Sequence, residues 1–196
     1  MAYMSEELGN QKRALRAELR ERRQNMTSTE NAAATAGITR HLIDLATDLS
    51  ARSISAYLST PTEPDTRPFL NWANDNGVRT LLPISREDGL LDWTTGDGET
   101  EMEGLFGMPE AVGELLGPIA INDVDLILVP AAAVGKDGLR MGWGRGYYDK
   151  MLGSMEKCPP VYAILYDAEL LDAVPREKHD QPVDGAVTPN GIVQFT

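Results

Sequence analysis

The run Asp125-Leu126-Ile127-Leu128-Val129-Pro130 constrains the fold more than any other stretch of this chain. Four consecutive branched aliphatic residues between an aspartate and a proline leave no polar face, so a strand here is buried on both sides. Strands of that kind belong to parallel sheets covered by helices above and below. The rest of the chain supplies matching elements. Ser53 to Leu58 alternates as a strand, Val78 to Ile84 and Leu90 to Thr94 read as two more, and Val161 to Tyr166 as another. Ala186 to Phe195 suits a final strand or hairpin.

Helical signals fall between the strands. Ser5 with Glu6-Glu7 suits a helix start, and Leu8, Leu15 and Leu19 then share one stripe at about 100° per residue. Thr27-x-x-Glu30 reads as a capping box opening a helix continued by Ile38, Leu42, Leu45 and Leu49. A third helix starts near Asp65 or Thr66 and stops at Gly77, and a glycine-rich loop and helix run to about Met155. Residues 96–118 read mainly as loop, with a short helix around Pro109 to Leu116. The expected fold is α/β: a single layered domain over residues 1–196, its largely parallel central sheet flanked by helices in a Rossmann-like arrangement. Ligands of such sheets bind beyond the carboxyl ends of the strands.

Composition narrows the functional class. At 196 residues with 42% apolar side chains the chain can bury a sizeable core. No apolar run approaches the roughly 20 residues of a membrane span, and the polar, charged stretch from Met1 to Arg23 shows no secretory signal. Cys158 is the only cysteine, which excludes an internal disulfide and a cysteine-cluster zinc site. A cytoplasmic protein without a membrane partner is expected. The net charge of −12 argues against nucleic acid as a partner. Residues 12–23 nevertheless carry a local +4, which leaves −16 for the rest. Lys12 falls inside the apolar stripe of the first helix and Arg16 at its edge, whereas Arg13 and Arg20 point more toward solvent. An ammonium facing the protein body needs an anionic partner, although a lysine that snorkels out of a solvated helix fits the same spacing.

The chemistry concentrates in Arg140-Met141-Gly142-Trp143-Gly144-Arg145-Gly146-Tyr147-Tyr148-Asp149-Lys150. Glycines alternating with large residues let the backbone turn sharply and expose a nest of N–H groups to anionic oxygens. Arg140 and Arg145 add fixed positive charge, and Asp149 could hold a metal that bridges phosphates. A phosphate-bearing ligand follows, most simply a nucleotide. The stretch is neither a P-loop nor a G-x-G-x-x-G fingerprint, since Tyr147 stands where the latter needs glycine. A loop that uses glycine for turning alone is the competing reading, and the flanking arginines and the Tyr-Tyr-Asp block weigh against it.

These residues resemble the R-x-G-x-G-x-G-Y-Y-D block of the 5-formyltetrahydrofolate cyclo-ligase (5,10-methenyltetrahydrofolate synthetase) family. Lys12-Arg13-Ala14-Leu15-Arg16 is similar to its K-x-x-L-R, and Leu58-Ser59 with Glu63-Pro64-Asp65-Thr66 to its folate-contacting segment. Phe106-Gly107-Met108-Pro109-Glu110 resembles its G-[IM]-P-E turn, and His179-Asp180 with Val183-Asp184 and Thr188 its C-terminal block. The resemblance implies ATP-dependent ring closure of 5-formyltetrahydrofolate to 5,10-methenyltetrahydrofolate with Mg²⁺, in a monomer whose partners are small molecules. It places Lys12, Arg13, Ala14, Leu15 and Arg16, together with Arg140, Met141, Gly142, Trp143, Gly144, Arg145, Gly146, Tyr147 and Tyr148, on ATP. It places Leu58, Glu63 and the stretch from Trp143 through Gly144, Arg145 and Gly146 to Tyr147 on the folate, and Asp149 and Asp184 on the metal. Arg145 and Lys12 are the expected catalytic residues, Arg145 because a guanidinium can stabilise the transferring phosphoryl group through two bonds.

No residue suggests covalent catalysis. There is no G-x-S-x-G elbow, His41 lies in a helix as a structural residue, and His179 reads as a solvated loop histidine. A sugar-phosphate isomerase using the loop for a phosphate monoester and a nucleotide-binding module without turnover are the rival readings. ATP dependence separates the first from a cyclo-ligase, and turnover the second.

Overall fold

The computed structural model describes residues 1–195. Among the described residues there are four α-helices: α1 (Ala2–Gln24), α2 (Ser28–Asp48), α3 (Arg67–Asp75) and α4 (Tyr147–Ser154). The strands are β1 (Ser53–Ser55), β2 (Arg79–Ser85), β3 (Leu91–Thr94), β4 (Glu101–Glu103), β5 (Pro109–Ala111), β6 (Leu126–Pro130), β7 (Ala133–Gly135), β8 (Arg140–Met141), β9 (Val161–Ile164), β10 (Leu170–Leu171), β11 (Gly185–Thr188) and β12 (Gly191–Gln194). Seven of them make one sheet in the order β12-β11-β9-β6-β1-β2-β3. The inner five, from β11 to β2, are parallel, and the two edge strands β12 and β3 are antiparallel hairpin partners.

The apolar run is the centre of this sheet and alternates as a doubly covered strand must. Leu126 and Leu128 point into a core built with Ile38, Leu42 and Leu45 of α2 and Phe69 and Ala73 of α3. Ile127 and Val129 point to the other face, against Met151 and Leu152 of α4 and Ile121 and Val124. The Asp125 carboxylate at the entry of β6 accepts from the backbone N–H groups of Arg52 and Ser53, at 2.8 and 3.1 Å, and so fixes the register with β1. Strand order reverses between β1 and β6, so the chain leaves their carboxyl ends in opposite directions and opens a crevice there.

Local signals explain some boundaries and miss others. Thr27 caps α2 through both halves of the capping box. Ser5 does not cap α1, which begins at Ala2 with Met1 as its N-cap. The expected helix around Pro109 to Leu116 is absent: Pro109–Ala111 is β5, paired antiparallel with β4. A three-stranded sheet, β10-β7-β8, lies apart from the central one and carries α1 on it, with Leu19 packed on Ala132, Ala133 and Met141. Among the described residues no helix is long and apolar enough to cross a membrane.

Candidate active site

A cavity of about 440 Å³ occupies the crevice beyond the carboxyl ends of β1 and β6. One side is α1, through Lys12, Arg16, Arg20 and Arg23. Tyr57, Leu58 and Glu63 line it from the segment after β1, and Phe106, Met108 and Glu110 from the β4–β5 hairpin. Pro83 and Ser85 of β2 and Leu91 of β3 also line it, as do the loop from Gly142 to Asp149, with Arg140 behind it, and Glu177, His179 and Asp180 from the C-terminal block.

The glycine loop is held against α1. Arg16 donates from Nε to the Gly142 carbonyl at 2.8 Å, although 126 residues separate them. Gly144 and Gly146 have φ of +102° and +76°, conformations that side-chain-bearing residues rarely adopt. A Cβ on Gly144 would stand 3.2 Å from the Arg16 guanidinium, so the loop lies directly on that cation. Gly146 is the N-cap of α4, and the first turn of that helix, from Tyr147 to Asp149, lines the cavity.

The cations divide into compensated and uncompensated ones. Lys12 is 5% exposed and donates to Glu177 at 2.8 Å and to both Asp180 oxygens at 2.9 and 3.1 Å. Burial lowers the pKa of Arg16 more than the nearby charges of Glu177 and Asp180 raise it. Burial likewise lowers that of Arg140, which Asp149 only partly offsets from 3.6 Å. Arg140 donates to the Pro130 carbonyl at 2.7 Å and keeps a buried Nε without a partner. Arg16 and Arg140 thus stay charged in surroundings that hold too little negative charge for them, and an anionic ligand would complete the balance.

The opposite wall is suited to a neutral donor-rich ring. Glu63 is buried and accepts from the Thr60 N–H at 2.9 Å, and among the described residues no lysine or arginine is paired to it. Burial, reinforced by the charge of Glu63, holds the phenols of Tyr57 and Tyr148 above their ordinary range. Both therefore keep their protons, and the Tyr57 hydroxyl is a buried donor without a partner among the described residues. Phe106 projects from the hairpin tip at φ +61°, a strained value for a non-glycine residue, and the Arg145 guanidinium carbon lies 3.5 Å from its ring centroid.

Several expected residues stand elsewhere. Asp184 is outside the cavity: its carboxylate accepts from the Val161 N–H at 2.8 Å, at the amino end of β9 and across the sheet from the crevice. Among the described residues, Asp149, Asp180 and His179 each offer one possible ligand atom, all within 4.8 Å of one another. Arg13 and Ala14 face solvent, Leu15 packs against the small core under α1, and Met141 is buried in that core, so none of the four lines the cavity. Trp143 does line it, but it also packs against the core under α1, with Arg20 and Arg23 at 5.3 and 4.9 Å from its ring centroid. Lys12, Arg16, Leu58, Glu63, Arg140, Gly142, Gly144, Arg145, Gly146, Tyr147, Tyr148 and Asp149 all meet there. His179 is exposed yet lines the cavity, with its Nε2 3.3 Å from Glu177 and 3.5 Å from Asp180, whereas His41 lies on α2 away from the cavity. Glu177, Asp180, Glu110 and Tyr57 are the residues whose place the spacing did not reveal, although His179-Asp180 and Pro109-Glu110 were visible as motif fragments.

Fold and cavity together define a doubly wound α/β protein with a ligand crevice at the switch point of its sheet. The model of the 5-formyltetrahydrofolate cyclo-ligase family matches residues 8–189. A 5-formyltetrahydrofolate cyclo-ligase of Mycolicibacterium smegmatis is 36% identical over 151 residues, covering 74% of this chain and 78% of that protein. One from Haemophilus influenzae is 26% identical over 183 residues, covering 90% and 97%. The solved structure of Aquifex aeolicus 5,10-methenyltetrahydrofolate synthetase superposes with a TM-score of 0.78 at 26% identity, over 94% of this chain and 92% of that one. This chain belongs to the 5-formyltetrahydrofolate cyclo-ligase family.

Proposed function

We propose that the chain closes the ring of 5-formyltetrahydrofolate to give 5,10-methenyltetrahydrofolate, in an ATP- and Mg²⁺-dependent reaction that releases ADP and phosphate. The observation that carries this reading is the meeting of Arg16, Arg140 and the Gly142–Gly146 turn on one cavity, with the uncompensated carboxylate of Glu63 on another wall. Phosphoryl transfer asks a protein for positioning and charge compensation rather than a nucleophile, and this cavity offers those and no activated serine or cysteine.

On this reading the triphosphate lies between α1 and the loop, against the N-terminus of α4. Lys12 exchanges the Glu177 carboxylate for phosphate oxygens, a swap between anions that leaves the ammonium paired throughout. The formyl oxygen attacks the γ-phosphorus as the bond to ADP breaks. N10 then attacks the formyl carbon and loses its proton, and the C–O bond breaks as phosphate departs. Arg145 compensates charge on the transferring group, while Glu63 accepts paired N–H bonds from the pterin. Asp149 and Asp180, with His179 at hand, are the residues that would hold Mg²⁺, and oxygen donors suit that hard cation. When bound it would neutralise charge on the phosphate oxygens.

The test is to incubate purified protein with 5-formyltetrahydrofolate and Mg·ATP under mildly acidic conditions, where the absorbing methenyl product persists. Product that appears only with both ATP and Mg²⁺ is expected. Turnover that ignores ATP, or no product at all, overturns the reading.

A further inference from the structure

We infer that Arg23 and Glu169 are a positioning pair that fixes α1 against the glycine loop, an inference that rests on the nucleotide site proposed above. Arg23 lies in the last turn of α1 and its side chain is 2% exposed. Its Nε and one terminal nitrogen bind the two Glu169 oxygens at 2.7 and 2.8 Å, and that nitrogen also donates to the Ala131 carbonyl at 2.9 Å. Its guanidinium carbon sits 4.9 Å from the Trp143 ring centroid. Glu169 is fixed in turn by the Tyr166 N–H at 3.0 Å.

These contacts join three parts that must keep their spacing. Ala131 directly follows β6, Trp143 belongs to the glycine loop, and α1 carries Arg16 and Lys12. At about 1.5 Å per residue, those cations stand roughly 10 and 16 Å further along the same helix. Burial works against the charge on Arg23, but the Glu169 bond and charge outweigh it, the reverse of the balance at Arg16. Arg23 therefore has its charge balanced within the protein by Glu169. Its remaining nitrogen is sealed from solvent without a partner, so the pair is poorly arranged for stability alone. A buried pair exchanged for apolar groups of similar volume often loses no stability, whereas the fork fixes direction in a way that apolar contact does not.

The decisive variant is the double replacement Arg23→Met with Glu169→Leu. Three measurements are made on it: thermal unfolding, binding of Mg²⁺ with a non-hydrolysable ATP analogue, and binding of 5-formyltetrahydrofolate. We expect a melting temperature within about 4 °C of the wild type. Analogue binding should weaken and kcat should fall about tenfold or more, with folate affinity changed by less than about threefold. Arg23→Lys keeps the charge but not the fork, and should show the same split if the double variant does not fold. A folded variant with wild-type analogue binding and kcat overturns the inference, as does equal loss of both ligands. A wild-type protein that binds no nucleotide analogue overturns the proposed site, and the positioning role with it. Wild-type nucleotide binding beside indifferent variants overturns the positioning role alone.

Discussion

Asp180 and Asp184 carry the same side chain four residues apart, and only one of them reaches the cavity. The reason is geometric. Asp184 immediately precedes β11, which runs parallel to β9, so it sits where these strands begin, at the end of the sheet away from the crevice. Asp180 is still in the segment that crosses the carboxyl side, 5% exposed and paired with Lys12. Asp180→Asn should raise the Mg²⁺ concentration needed for half-maximal turnover about tenfold or more, and Asp184→Asn should leave it within about twofold. A metal titration of both variants checks this, and the opposite ranking would restore Asp184. Arg145 makes a second case. It is exposed and stacked on Phe106, so little of the ground state depends on it. Arg145→Ala should lower kcat about a hundredfold while folate affinity changes by less than about threefold. Equal losses in kcat and affinity would remove its transition-state role.

Elements were legible where a local cause sets them. The capping box at Thr27 and Glu30 fixes the start of α2, and the unbroken aliphatic run fixes β6. The β4–β5 hairpin was not legible, because Glu101–Glu103 is exposed throughout and has no apolar periodicity. Its pairing is decided by the return of the chain through Leu105–Gly107, not by propensity. The strands β7 and β8 are too short to leave a pattern, at three and two residues. Acid stability tests the register device at β6. Hydrogen bonds from the Arg52 and Ser53 N–H groups hold the Asp125 carboxyl below its usual range. A depressed folded value stabilises the fold above the ordinary aspartate value of about 4, and that contribution is lost as pH falls through the folded value. Asp125→Asn should therefore be less stable than the wild type at neutral pH, with the gap closing below pH about 4. Urea unfolding across pH checks it, and a gap unchanged from pH 7 to 3 would contradict it.

At the scale of the whole molecule, the parallel order and the position of the crevice followed from alternating strands and helices, since a reversal of strand order leaves one place for a ligand. The composition of the cavity followed only in part. The spacing of Lys12 and Arg16 fits an inward-facing stripe and a snorkelling lysine equally, and their partners lie more than 100 residues away and come from folding, not from local sequence. The most direct test is a structure of the protein with Mg²⁺, a non-hydrolysable ATP analogue and 5-formyltetrahydrofolate. The account predicts phosphates between Arg16, Lys12 and the Gly142–Gly146 turn, with the pterin against Glu63. A nucleotide bound elsewhere, or Lys12 still paired with Glu177 and Asp180 beside it, would contradict the account.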